Sequence, residues 1–315
     1  MIVNTKRDVF AAMIGFLFLA LIALGTFGVL QNIFAANIGS QVVVGNAAPT
    51  VPSVAVNNTN DVTLLPNATT AVNVTARISD NNGCVDLNAG TTTILLYRSG
   101  ISSSTCMTTQ NNLNCYRLTS FTTSSACTTT FIDTTSTFAV QYFAQATDSS
   151  SSFSGQNWMA TVLFSDPFPS TGNGDSLSGT TPDFKTTTAL NVTTSSINYG
   201  TVPANTDTQG TNQIASSTNA GNSSTTLQLS AFSTLTLGLN SIATSSQHYA
   251  TSTFTFGGNE QSLTDTAATV NGFFLTSPTS SNFVSQATYW GLTVPGGSAT
   301  GTYAGTNVFA SFFQP

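Results

Sequence analysis

The chain has 315 residues, a net charge of −6 and only 6% charged residues, against about 25% in an average soluble protein. Six Lys and Arg residues are too few for the basic surface that nucleic-acid binding requires, so we expect no nucleic-acid partner. Hydrophobic residues make up 40% of the chain, which is enough for folded cores and argues against intrinsic disorder.

The first element is an uncharged run from Val9 to Leu30, which follows Lys6 and Arg7. As a helix this run would be about 33 Å long, enough to cross a hydrocarbon core of about 30 Å. The basic pair predicts that the N-terminus stays in the cytoplasm. Residues 1–36 are therefore predicted to be a hydrophobic helix, an anchor or a signal, that sends the rest of the chain across a membrane.

Three fates of this helix remain open. It could stay in place as an anchor. Cleavage after Ala35 or Ala36 would release the rest, although Ile33 and Phe34 are bulky for the small residue that such sites prefer. Processing near Arg7–Asp8, as in pilins, would leave the helix free to pack in a filament.

A polar stalk over residues 37–52, punctuated by Pro49 and Pro52, leads to a first β domain at residues 53–166. Strands are predicted at TAVNVTARISD, TTTILLYRSG, NCYRLTSF, STFAVQYFAQATD and NWMATVLFSD. Apolar residues alternate with polar ones in several of them, for example from Val72 to Ile78. The clearest begins at Phe138 and continues through every second residue to Ala146. This period of two, with turn residues between segments, predicts an antiparallel β-sandwich.

The segment Tyr142–Asp148, YFAQATD, resembles a pattern common in bacterial cell-surface immunoglobulin-like modules. The resemblance covers about residues 50–166 and implies a sandwich fold without implying a ligand. It departs from antibody domains because no cysteine is placed on a strand opposite Trp158.

The four cysteines of the chain all fall in this domain, at Cys84, Cys106, Cys115 and Cys127. An even number in an exported chain predicts disulfides, and three pairings are possible. We favour Cys106–Cys115, which closes a local loop, together with Cys84–Cys127. The spacings do not fit a zinc site.

Residues 167–186 are rich in Pro, Gly and Ser and are predicted to be a linker. Residues 187–315 then form a second predicted β-sandwich, with strands predicted at TALNVTTSSINYGTV, STTLQLSAF, YATSTFTF, TVNGFFLT, ATYWGLTVP and GTYAGTNVFASFF. The segments INYGTVPANTDTQGTNQ, NAGNSSTTLQLS and YWGLTVPGGSATGTYAGTNVF resemble sandwich modules of bacterial surface-layer and wall-associated proteins. The aromatic tail VFASFFQP is predicted to be the final strand, or else a donor strand for a neighbour's sheet.

Residues with catalytic potential are scarce. His248 is the only histidine, and Glu260 and Asp265 share one loop that is predicted to be a solvated turn. Neither a catalytic triad nor a pair of acid–base carboxylates is indicated, so we expect no catalytic residue and no enzyme.

Two kinds of site remain as candidates. The loop ISDNNGCVDL offers the oxygen ligands Asp80, Asn82 and Asp86 for calcium, although turns rich in Asp and Asn have the same composition without metal. We expect no other cofactor. Five Asn residues stand in N-x-S/T sequons and are possible glycosylation sites: Asn57, Asn67, Asn73, Asn191 and Asn222.

The sequence as a whole predicts an all-β protein: two antiparallel, immunoglobulin-like β-sandwiches preceded by one long hydrophobic helix. The predicted function is structural and adhesive, on the outer face of the cell, with the membrane, copies of the chain or surface glycans as partners. A pilin-like filament subunit and a carbohydrate-binding module are the alternatives.

Overall fold

The computed structural model describes residues 10–21, 39–168, 170–176 and 181–313. The chain divides into two units, residues 1–45 and residues 46–315. Residues 10–21 form helix α1, and the rest of the predicted span, including Val9 and Leu30, lies outside the described residues. None of the helices in the described ranges is long and apolar enough to cross a membrane.

The chain from residue 50 to residue 176 forms a first β-sandwich. Its elements in chain order are β1 (Thr50–Val56), β2 (Thr69–Ser79), α2 (Cys84–Ala89), β3 (Thr91–Arg98), α3 (Ser103–Thr108), β4 (Cys115–Leu118), β5 (Thr122–Thr123), β6 (Phe131–Gln141), β7 (Trp158–Ser165) and β8 (Thr171–Asp175). They form two antiparallel sheets, in the orders β1-β2-β6-β5 and β4-β3-β7-β8.

One apolar core lies between these two sheets. The predicted alternation of β2 is confirmed, since every second residue from Val72 to Ile78 is buried. Trp158 of β7 is fully buried, and its ring stacks on Phe184 with 4.2 Å between centroids. A smaller cluster packs α3 against the other face of β3, so that this sheet is covered on both sides.

Three sequence boundaries differ from the structure. β1 begins at Thr50, inside the predicted stalk. The predicted linker contains β8, which completes the first sandwich by pairing with β7. The strand predicted to run through Ala146 ends at Gln141, because the chain turns there and the Ala144 N–H bonds back to the Gln141 carbonyl.

The chain from residue 190 to residue 313 forms a second β-sandwich. Its strands are β9 (Leu190–Val192), β10 (Thr206–Asp207), β11 (Gln213–Asn219), β12 (Thr225–Leu237), β13 (Asn240–Ile242), β14 (Gln247–Ala250), β15 (Gln261–Ser262), β16 (Ala268–Thr269), β17 (Ser285–Val294) and β18 (Ala304–Phe313). One sheet has the order β15-β14-β17-β11-β9, with β10 also on β17; the other joins β13, β16 and β18 to β12.

A second core fills the space between these sheets. Trp290 of β17 is fully buried at its centre, and its ring contacts Tyr249 and Phe309 at centroid distances of 5.4 and 5.7 Å. The Trp290 indole N–H donates to the Thr288 hydroxyl at 2.9 Å. The aromatic tail is therefore a strand of its own sandwich over the described residues, because Phe309 of β18 packs inward against Trp290.

Asn222 connects the two sandwiches through its side-chain amide. Its Nδ2 donates to the carbonyls of Ala144 and Lys185, each at 3.1 Å, while its Oδ1 accepts the Thr187 N–H at 2.7 Å. The peptide groups that Asn222 joins belong to the first sandwich and to the segment that leaves it. The sandwiches are thus connected by buried hydrogen bonds as well as by the chain.

Candidate functional site

The free edge of β18 is the main candidate for an interaction surface. Within the described ranges β18 pairs with one strand only, β12, and its ten residues include no charge and no proline. Register shifts interrupt the pairing near Ala231 and Ser233, so the regular part of the edge lies opposite Thr225–Ala231 of β12. Uncharged regular edges present unpaired N–H and C=O groups that another strand can bind.

The outer face of the same sheet is apolar. Phe232 is 80% exposed and Phe312 is 53% exposed, with Val308 between them in the sheet. These side chains face away from the core because Phe309 and Ser311, their neighbours in β18, point inward to Trp290 and to the Thr188 carbonyl. A strand that added to β18 would extend this apolar face.

The N-terminal unit carries a segment suited to strand pairing. Val42, Val43 and Val44 are 82%, 85% and 78% exposed, and the sequence around them, SQVVVG, has no charge. Three consecutive β-branched residues favour extended backbone. The sequence placed this segment in a polar stalk and gave no role to its valines.

The edge strand β1 of the first sandwich is protected. β1 carries Pro52 and a register shift between Thr50 and Ser53, both of which disfavour a further strand. β8 also lies against it: a side chain at Gly172 or Gly174 would overlap the carbonyl oxygen of Pro49 or Val51. β1 is therefore less open to a further strand than β18.

The predicted calcium ligands lie at one end of the first sandwich. Asp80 follows β2 and Asp86 lies in α2, and both are buried. Asn82 is tied to the entering chain, since its Oδ1 accepts the Ala47 N–H at 2.5 Å. Burial raises the pKa of Asp86, and the charges of Asp80 and of Asp166, which follows β7, raise it further. Nowhere in the described chain do three Asp, Glu, His or Cys side chains stand close enough, as placed, to hold a metal ion.

The disulfides form the pairing that the sequence favoured. Cys84 pairs with Cys127 and Cys106 with Cys115. The first bond ties α2 to the loop before β6, and the second ties α3 to β4. No described cysteine is free.

His248 and Glu260 lie near each other, with 4.0 Å between Nδ1 and Oε1. The predicted solvated turn is wrong for Glu260, whose side chain is only 6% exposed. Its carboxylate accepts the N–H groups of Gly257 and Gly258 at 2.7 and 2.9 Å. Burial opposes its charge, but these bonds lower its pKa overall.

Burial lowers the pKa of His248, although the nearby Glu260 carboxylate partly offsets this. The His248 ring packs edge-on against Phe256 at 5.0 Å. Asp265 lies apart in this arrangement and accepts the Thr244 hydroxyl at 2.7 Å. The hydrogen bonds that Glu260 accepts therefore stabilise the Gly257–Glu260 turn.

Four of the five predicted glycosylation sites are accessible to some degree. Asn67, Asn73 and Asn191 are exposed and Asn57 is partly exposed. Asn222 is 8% exposed, and its Nδ2, the atom that would carry a sugar, donates two hydrogen bonds. The folded chain does not present Asn222 for glycosylation.

A polar depression of about 280 Å³ lies where the two sandwiches meet, lined by Asn112, Gln141, Phe143, Thr279, Ser280 and Ser281. Beside it the half-exposed ring of Phe283 stacks on Tyr142 at 6.5 Å. Both tryptophans, the expected platforms for a sugar ring, are fully buried in the cores.

Comparison with known proteins gives no family for this chain. No family model matches it, and no curated protein matches it. The solved structures that match include the CsuC–CsuE chaperone–tip adhesion subunit pre-assembly complex from archaic chaperone-usher Csu pili of Acinetobacter baumannii. That match has 9% identity and a TM-score of 0.33, and covers 83% of this chain and 100% of the other. At these values it supports no statement about fold or function.

Proposed function

We propose that this chain is an exported, non-enzymatic structural and adhesive protein of the cell surface, whose copies join by strand addition at β18. The observation that carries the proposal is the long, uncharged and singly paired edge of β18 beside an apolar outer face. Two disulfides in a charge-poor chain are consistent with an oxidising compartment outside the cytoplasm.

The partner that fits this edge is residues 41–44 of a second copy. Strand addition needs an accessible, β-prone segment, and the three exposed valines supply one. Neither surface carries a charge, so copies approach without electrostatic repulsion. Because the segment and the edge are different surfaces, the contact is heterologous and adds copies head to tail.

The proposal is tested by introducing a charged residue at the β18 edge or in the 41–44 segment. The mass of the assemblies that the full chain forms in detergent is then measured by analytical ultracentrifugation. We expect the wild-type chain to form concentration-dependent oligomers. Val308→Lys, on the edge, and Val43→Asp, in the segment, should each reduce it to the monomer. Leu65→Lys, at an exposed apolar position of the first sandwich, is the control and should assemble like the wild type.

Mixing the two variants shows whether the contact between copies is head to tail. In a head-to-tail contact, a Val308→Lys chain keeps its segment and a Val43→Asp chain keeps its edge, so the mixture should stop at dimers. If Val43→Asp assembles as the wild type does, the edges pair with each other and the segment has no part. If Val308→Lys assembles normally, the proposal is wrong.

Display by the N-terminal helix is part of the same proposal. The N-terminal residue of the protein recovered from its native cells tests it. Met1 retained means a membrane-tethered protein. A start near Asp8 favours the filament alternative, in which the hydrophobic helices pack together. A start near Asn37 means a released protein and removes both helix-dependent functions.

The polar depression between the sandwiches supports carbohydrate binding as a second candidate function. Amide and hydroxyl groups line it, and Phe283 offers an exposed ring beside it. A glycan array with the wild-type chain and with Gln141→Ala tests this candidate. Binding lost in the variant would support it, whereas an array without binding to the wild type would exclude it.

A further inference from the structure

The core of the second sandwich is open on the side of β18. β18 and β9 are edge strands of the two facing sheets, and within the described residues each pairs with one strand only. The two edges lie on the same side of the sandwich, since the Ser311 hydroxyl of β18 donates to the Thr188 carbonyl, just before β9, at 3.5 Å. A strand added to β18 would therefore face the chain at and after β9.

The inward-facing apolar side chains on this side are only half-buried. Leu190 of β9, Ile197 and Phe309 of β18 pack against the second core but keep intermediate exposure. Leu227 and Trp290, further inside, are fully buried. The half-buried set of Leu190, Ile197 and Phe309 is called the open seam below. Covering the seam with further apolar side chains would remove its remaining surface from water, which is favourable.

The chain after β9 keeps Ile197 at this seam without belonging to a sheet. Within the described chain, no backbone group of residues 195–199 bonds to another backbone group. The end of this segment is fixed beside β18, because the Tyr199 hydroxyl and the Asn307 Nδ2 of β18 both donate to Gln247 Oε1, at 3.1 and 2.9 Å. Ile197 thus lies on the β18 side of the core with no paired strand to cover it.

We propose that the open seam binds the side chains of Val42 and Val44 when residues 41–44 of a second copy add to β18. The added strand then completes the second core, an inference that rests on the function proposed above. Successive side chains of a strand point to opposite faces, so Val42 and Val44 share one face. Val43 shares the other face with the polar Gln41. The face of Val42 and Val44 is therefore the more apolar one and suits the seam.

The two faces of the added strand have different surroundings. The inward face meets the open seam and leaves water. The outward face places Val43 beside Val308 and Phe312, which are themselves exposed. More apolar area is buried on the inward face, so its two valines contribute more to affinity than Val43 does. A charge at Val43 still prevents assembly, because it would lose water beside these apolar side chains.

The test compares serine substitutions in the full chain in detergent, with association constants measured by sedimentation equilibrium. Val42→Ser and Val44→Ser should each weaken association about tenfold, whereas Val43→Ser should weaken it by about threefold or less. Val43→Ser is the matched control, because it makes the same chemical change in the same segment. All three valines are 78–85% exposed in the free chain, so no substitution disturbs a folded core.

The seam itself is tested by Ile197→Ala, which should weaken association about tenfold. Ile214→Ala is its control, because Ile214 belongs to the same sandwich but is 53% exposed; it should associate as the wild type does. The inference is overturned if Val43→Ser weakens association as much as Val42→Ser and Val44→Ser do, or if Ile197→Ala associates unchanged. Strand addition would survive either result as long as Val308→Lys abolishes assembly. A wild-type chain that stays monomeric would remove both.

Discussion

The two sandwiches have similar architecture but are stabilised differently. Both disulfides and both Arg or Lys ion pairs of the described residues lie in the first sandwich or in the segment that leaves it. After Lys185 the sequence contains no Lys or Arg at all. The second sandwich depends on its apolar core and on hydrogen bonds of Thr, Ser, Asn and Gln. It also carries the long open edge, whereas the first protects β1 with a proline and a register shift.

This difference suggests a division of roles. Its two disulfides would make the first sandwich the more rigid of the two. The second would join copies, since an uncharged edge can accept a strand without electrostatic cost. The division is tested by asking which changes affect one sandwich and leave the other intact. Amide hydrogen exchange reads the two sandwiches separately, and denaturation midpoints and Tm measure the change in stability.

The largest effect on stability is expected from removing a large side chain from the core of the second sandwich. Trp290→Ala removes the fully buried ring that contacts Tyr249 and Phe309. Substitutions of this kind cost about 3–5 kcal/mol, and no disulfide holds the second sandwich together. We expect the amides of the second sandwich to lose protection from hydrogen exchange, while the amides of the first sandwich keep it. Phe232→Ala, at an exposed position, should change stability by less than about 0.5 kcal/mol. Loss of protection in both sandwiches together would show that they unfold as one unit.

The disulfides should act on the first sandwich alone. Cys84 and Cys127 are 43 residues apart, and Cys106 and Cys115 are 9 apart. On the loop-entropy model the longer loop contributes about 4 kcal/mol and the shorter about 3 kcal/mol. We expect the double Ser variant of the longer loop to lower the denaturation midpoint of the first sandwich more than that of the shorter loop. The reverse order would mean that packing around α3, rather than loop closure, sets the effect.

Alternation indicated β2, β6 and β7, because a period of two is visible without knowing the partner strand. The sequence also predicted strands at β3, β12, β17 and β18, whereas it placed β1 in a stalk and β8 in a linker. It failed for TALNVTTSSINYGTV, where only Leu190–Val192 form a strand, since Thr and Ser suit both strands and irregular chain. It also could not place Asp166 near the loop that contains Asn82, because the two residues follow strands of opposite sheets and the chain at Asn46 and Ala47 bonds to both.

Asn222 joins the two sandwiches, and its substitution should weaken the structure on both sides of the junction. Asn222→Ala leaves the Ala144 and Lys185 carbonyls and the Thr187 N–H without their partner. Each buried group left unsatisfied costs about 1–3 kcal/mol unless water reaches it. We expect exchange to rise on both sides of the junction, with the centres of the two cores unchanged. Asn191→Ala, at an exposed sequon, is the control and should leave the junction protected. Exchange that rises only in the second sandwich would show that Asn222 merely closes a local turn.

The smallest effect is expected from pH, and it should appear only in the second sandwich, which contains the one histidine. Burial lowers the pKa of His248, so the unfolded chain binds a proton more readily than the folded chain. Stability should therefore fall as pH drops below about 6.5, the ordinary histidine pKa. Glu260, whose pKa is also lowered, adds a further loss at more acidic pH, as its carboxylate becomes protonated. His248→Gln should remove the loss of stability that begins near pH 6.5 and keep the loss at more acidic pH that comes from Glu260. If the Tm of the variant declines between about pH 7 and pH 5 as much as that of the wild type, a group other than His248 is responsible.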